Sequence, residues 1–70
     1  MAVSSSDAQG LYRRLFEVDA DIREYKLVLE KLPLVLTEKE RKERNEAIRV
    51  IRELQELRHF IVTTLNEYLQ

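Results

Sequence analysis

Lys31 to Glu40 reads KLPLVLTEKE and contains the only proline of the chain. How this stretch is read decides the fold. Proline has no backbone N–H, its ring clashes with the preceding helical turn, and it pushes the residue before it out of the helical region. A helix arriving from the N-terminal side therefore ends near Leu32. Thr37 stands three residues before Glu40, the spacing at which each side chain accepts a hydrogen bond from the other residue's backbone N–H in a capping box. Glu38 and Glu40 also place negative charge where a helix N-terminus favours it. A helix stop followed by a helix start, with only residues 33–37 between them, predicts a turn joining two helices.

Upstream, Leu11, Leu15, Val18, Ile22, Tyr25, Leu29 and Leu32 alternate spacings of four and three residues, an apolar heptad seam. Arg13, Arg14, Glu17, Asp19, Asp21, Arg23, Glu24, Lys26 and Glu30 fill the opposite face. This predicts a first helix over about residues 10–32, preceded by a flexible tail over 1–9. Ser6 and Asp7 are both able to cap such a helix, while Gly10 weakens any turn that contains it.

Downstream, Glu38 to Glu46 has no apolar side chain. Then Ala47, Ile48, Val50, Ile51, Leu54, Leu57, Ile61, Val62, Leu65, Tyr68 and Leu69 follow at helical spacing. With no further proline or glycine, a second helix is predicted over about 38–69. Its stripe covers roughly half the circumference, wider than a two-stranded seam needs.

A short turn between two long helices gives an all-α, antiparallel, coiled-coil-like hairpin. If the chain folds back about Val35, paired residue numbers sum to about 70. Ile22 then lies beside Ile48, Val18 beside Arg52 to Leu54, and Leu11 beside His59. Tyr25 and Leu29 are left facing the polar stretch Arg41 to Asn45. That mismatch and the wide stripe of the second helix both predict a further helix against the hairpin. It would come from a second copy, as a twofold four-helix-bundle dimer, or from another helical protein. The competing architecture is a continuous coiled coil kinked at Pro33, a rod approaching 100 Å at about 1.5 Å per residue.

Seventy residues make one domain, close to the lower size limit for an independent core. Twelve basic and thirteen acidic residues leave a net charge of −1, so no overall field attracts polyanions or anionic lipid. No apolar run is long enough to span a bilayer, and MAVSSSDAQG lacks the pattern of a secretory signal. A soluble, intracellular, cytoplasmic protein is expected.

Catalytic chemistry finds little to build on. Cysteine is absent, His59 is the only histidine and Gly10 the only glycine, so thiolate, zinc and phosphate-loop sites lack their residues. Acid pairs such as Asp19 with Asp21, or Glu53 with Glu56, read as solvated helix faces. The chain is short for enclosing a pocket of ordinary size. No enzyme activity, metal, cofactor or small-molecule substrate is expected.

Nucleic acid is disfavoured because the run Glu38 to Glu46 holds four bases against four acids. Those charges are expected to pair along the helix, Glu38 with Lys42 and Glu40 with Arg44. A membrane-surface helix over Ile48 to Leu69 is disfavoured because Arg49, Arg52 and Arg58 are matched by Glu53, Glu56 and Glu67, without the usual basic excess.

Arg58 occupies a seam position between Leu54 and Ile61. It is expected either to pack its stem and extend its head to water, or to meet a carboxylate or the Tyr12 hydroxyl across an interface. Tyr12, Phe16 and Phe60 lie off the seam, as packing against the core or as exposed anchors for a partner. Leu34, Val35 and Leu36 would either cap the open end of the bundle or contact another chain.

The expected function is a non-catalytic protein–protein interaction module, as scaffold, adaptor, small chaperone or regulator. It would act by homo-oligomerisation, most simply as a homodimer, or by binding a partner helix. The interface is expected to involve Leu11, Leu15, Val18, Ile22, Tyr25, Leu29, Leu32, Leu34, Leu36, Ile51, Leu54, Arg58, Ile61, Leu65 and Tyr68. Nucleic-acid association and membrane-surface binding stand as alternatives.

Overall fold

The computed structural model describes residues 5–69, with side chains from 7 to 68. Two helices, α1 (Ser5–Glu30) and α2 (Glu38–Leu69), pack against each other along one seam. The molecule measures 55 × 14 × 14 Å. The two helices therefore lie side by side as a hairpin, and the extended rod kinked at Pro33 is excluded.

Helix α1 starts at Ser5, ahead of the expected start near residue 10. Residues 5–9 are thus helical, while the remainder of the expected tail, residues 1–4, lies outside the described residues. Gly10 does not interrupt the helix because a single glycine costs only about 1 kcal/mol relative to alanine, and Asp7 supplies an acid in the first turn. A Cβ built on Gly10 meets nothing within 4 Å, and its φ is not positive. Gly10→Ala is therefore expected to stabilise the hairpin by about 0.5–1 kcal/mol in a urea titration followed by circular dichroism. A loss of stability would place the start of α1 after residue 10.

At its other end α1 stops at Glu30, earlier than expected. The Lys31 amide still reaches the Leu27 carbonyl at 3.1 Å, but the Leu32 amide turns to the Leu29 carbonyl at 3.3 Å. That tightened last turn is what the restriction on the residue before Pro33 produces.

The capping box at the start of α2 forms as read from the sequence. The Thr37 amide donates to Glu40 Oε1 at 3.0 Å, and the Glu40 amide donates to Thr37 Oγ1 at 3.2 Å. The Arg41 amide closes the first turn onto the Thr37 carbonyl at 2.9 Å. Donation from the Thr37 amide, and secondly from its hydroxyl, holds the Glu40 carboxyl below its ordinary value. A depressed carboxyl stabilises the fold at pH values above its unfolded pKa of about 4.3 and loses that contribution as the pH falls through the folded value. The stability difference between wild type and Glu40→Gln should accordingly be present above about pH 5 and close on further acidification. An unchanged difference down to pH 3 would remove the carboxylate from the cap.

The same hydrogen bond explains a departure from expectation. Glu40 points back to Thr37 and makes no ion pair with Arg44, nor does Glu38 pair with Lys42. Among the described residues the ion pairs within a helix are Arg14–Glu17 and Glu46–Arg49.

The largest difference concerns register. Arg58 Nε lies 2.7 Å from Asp19 Oδ1, and these residue numbers sum to 77, not about 70. The groove, lined by residues from Phe16 to Lys26 on α1 and from Gln55 to Val62 on α2, likewise sets aside a sum of 70. In this register Tyr25 and Leu29 lie level with Arg52 and Ile48 instead of the polar stretch Arg41 to Asn45. The mismatch expected near the turn does not exist, and it gives no support for a further helix at that end.

The shifted register makes α2 overhang. Its first nine residues, Glu38 to Glu46, extend about 14 Å at 1.5 Å per residue beyond the level where α1 ends. The connector from Lys31 to Thr37 is not a tight turn, because it must climb along that overhang before α2 begins.

Candidate functional site

The seam closes within the hairpin. Val18, Ile22, Ile61 and Leu65 form the buried cluster, with half-buried Leu11, Leu15, Leu54 and Leu57 packed around it. Ala47 and Ile51 are also buried, on the part of α2 level with the end of α1. Of the residues expected to form an interface, Val18, Ile22, Ile51, Ile61 and Leu65 are thus covered by their own chain. Leu11, Leu15, Leu29, Leu32, Leu36 and Leu54 are half-buried, whereas Tyr25, Leu34, Arg58 and Tyr68 remain exposed.

The connector divides its apolar residues. Leu32 and Leu36 turn partly inward, but Leu34 and Val35 are 104% and 87% exposed. Within the hairpin itself Leu34 and Val35 cover nothing. A connector running alongside one helix has an inner and an outer side, and the overhang it follows has no apolar side chain to receive them. The aromatic residues off the seam are exposed as well, Phe16 at 69% and Phe60 at 66%, with Tyr12 half as accessible as a free residue or more. The packed reading of these rings is therefore incorrect within the hairpin.

A groove of about 720 Å³ runs along one flank. Phe16, Asp19, Ile22, Arg23 and Lys26 of α1 line one wall, and Gln55, Arg58, His59 and Val62 of α2 line the other. The groove is an open trough between two helices, not an enclosed chamber.

Arg58 crosses between the walls. Its partner is the Asp19 carboxylate of the same chain, so the pairing alternative holds, but within the hairpin. Both side chains remain substantially exposed, and pairs of that kind are worth about 0–1 kcal/mol. The contact serves mainly to mark register. Arg23 and Lys26, also on the groove, have no carboxylate within 4 Å among the described residues.

Arg23, Lys26, Gln55 and Val62 were absent from the interface read from the sequence. Their periodicity was visible, since Gln55, His59 and Val62 follow one another at spacings of four and three. What joins them to Arg23 and Lys26 is the register, and the sequence pattern alone placed it one heptad away.

Comparison with family models, characterised proteins and solved structures finds no match. Function must be read from the surface itself. Among the described residues no cluster of three His, Asp or Glu side chains could hold a metal ion, and no helix is long and apolar enough to cross a membrane. His59 lies exposed on the groove wall. Phe60, next in sequence, projects about 100° further round α2 and belongs to the opposite flank, with Val28 and Tyr68.

Proposed function

We propose that this chain is a non-catalytic protein–protein interaction module, a scaffold, adaptor, small chaperone or regulator built on a helical hairpin. It acts by docking its exposed apolar side chains against further helices, supplied by a second copy in a four-helix dimer or by another helical protein. The observation that supports this reading most directly is the exposure of Leu34 and Val35 at one end and of Phe16 and Phe60 on the two flanks. The adjacent pair Leu34 and Val35 makes a continuous apolar surface of the kind another molecule covers, and aromatic residues such as Phe16 and Phe60 supply much of the energy at such contacts.

The wide apolar stripe of α2 agrees with the proposal. After the seam has closed, Ile48 and Tyr68 at its edges are each still 40% exposed. Intramolecular packing has used the centre of the stripe and left its margins.

Sedimentation velocity over a concentration series tests self-association. A concentration-dependent dimer is expected, and Leu34→Ser with Val35→Ser should weaken it at least tenfold, or about 1.4 kcal/mol. The melting temperature of the dilute protein should stay unchanged, because neither side chain is buried in the hairpin. A wild type that remains monomeric throughout would eliminate the homodimer, and a double variant that associates normally would remove the tip from the interface.

A further inference from the structure

From the charge and shape of the groove we infer that its occupant is an acidic amphipathic helix of a partner protein. The inference rests on the interaction-module reading and names the partner for one surface. The floor and rim provide apolar seats in Ile22, Val62 and the exposed ring of Phe16. Three cations, Arg23, Lys26 and Arg58, line the trough against the single acid Asp19, so its local charge is +2 in a chain of net charge −1. Asp19 is occupied by Arg58. Arg23 and Lys26, one helical turn apart on the same wall, are left to meet carboxylates from outside.

Two physical arguments select a helix. Both walls are helices whose backbone N–H and C=O groups are already paired, so an extended peptide finds no strand edge on which to satisfy its own backbone. A helix brings its backbone bonds with it and fills a trough between two others by side-chain packing alone. From Phe16 to Lys26 the wall is about 15 Å long at 1.5 Å per residue, which matches a helix of roughly three turns.

Charge also selects against a second copy at this position. A twofold interface sets the same patch on both subunits, so two grooves face to face would bring one surface of local charge +2 against another. Like charges brought together in this way disfavour the wrong partner. The flank carrying Phe60 and the tip carrying Leu34 and Val35 stay free for self-association.

The experiment uses the full chain and a pair of lactam-bridged helical peptides of about 12 residues. Both carry leucine on one face, flanked by glutamate in the first peptide and by lysine in its twin. Binding is followed through amide NMR shifts and fluorescence anisotropy. The acidic peptide is expected to shift the amides around Phe16, Arg23, Gln55, His59 and Val62, and to bind at least tenfold more tightly than the twin. Raising the salt concentration should narrow the difference. Arg23→Glu with Lys26→Glu, both at exposed positions, should leave the circular dichroism spectrum unchanged and reverse the preference.

Equal binding of the two peptides, or binding of neither, overturns the proposal. So do shifts that map to the tip or to the Phe60 flank, and so does a charge-reversed variant that still prefers the acidic peptide. Groove shifts that grow with protein concentration in the absence of peptide also overturn it, in favour of a second copy. Each of these results leaves self-association to the sedimentation series, where it fails only on separate data.

Discussion

Ile61→Ala is expected to cost the hairpin about 2–5 kcal/mol, the largest effect of any single truncation proposed for this chain. Ile61 is 2% exposed and belongs to the four-residue cluster with Val18, Ile22 and Leu65. Removing its branched side chain loses the transfer free energy of the deleted groups and leaves a cavity that two rigid helices close only in part. A domain of this size has about 4–10 kcal/mol of total stability, so the variant should be partly unfolded at moderate temperature. Its melting temperature should fall by at least 8 °C or so. The neighbouring substitution Phe60→Ala is the control. Phe60 is larger and equally apolar but exposed, so its replacement should change the stability of the dilute protein by no more than about 0.5 kcal/mol. Hydrophobicity alone does not separate these neighbours; their helical period and the fold rank them by which side of α2 they occupy. If both variants lose the same stability, the seam has been placed on the wrong face.

Ala47→Leu should destabilise by about 1–3 kcal/mol, although nothing local forbids it. Leucine is nearly as good a helix former as alanine, and added apolar surface in an apolar stripe would ordinarily be neutral or favourable. The cost arises because Ala47 is 3% exposed and lies level with Glu30, where α1 gives way to the connector. The three extra carbon atoms of leucine have no room there unless the helices separate. Had the chain folded about Val35, residue 47 would lie level with Arg23, a residue that faces out onto the flank, and a leucine would be accommodated. A chemical denaturation curve for this variant thus distinguishes the two registers, and a gain in stability would support the fold about Val35.

Much of the architecture was legible because it depends on chemistry within a few residues. The restriction before Pro33 and the reciprocal bonding of Thr37 and Glu40 act locally, so the end of α1, to within two residues, and the start of α2 followed from their neighbours. The seam residues of α1 were legible for the same reason, through their period. Register is a different kind of information. Leucines and isoleucines repeat at nearly equal intervals along both helices, and a slip of one heptad replaces one apolar pairing by another of similar quality. Only the conflict between Tyr25 and Leu29 and the polar start of α2 signalled that the first alignment was wrong. That conflict was read as a missing partner, when relaxing the assumption of a tight turn resolves it within the chain. The groove was out of reach because it exists only once residues from the two helices are aligned correctly. Exposure of Phe16 and Phe60 was equally open, since a ring off the seam is covered or bare depending on what else is present.

The overhang of α2 has a consequence for the order in which the molecule forms. In a hairpin with a tight turn, the first contacts between helices lie next to the loop, and the pair can zip up from there. Here the nearest level pair is Glu30 with Ala47, and the stretch between them includes the charged turns of α2, which offer α1 nothing to hold. The first productive encounter must close a loop of about 17 residues instead of the seven or so in the connector. That roughly doubles the loop and costs only about 0.6–0.8 kcal/mol more in closure entropy. The helices should therefore meet as largely preformed rods in the region of Val18 and Ile61, with the connector settling against the overhang last.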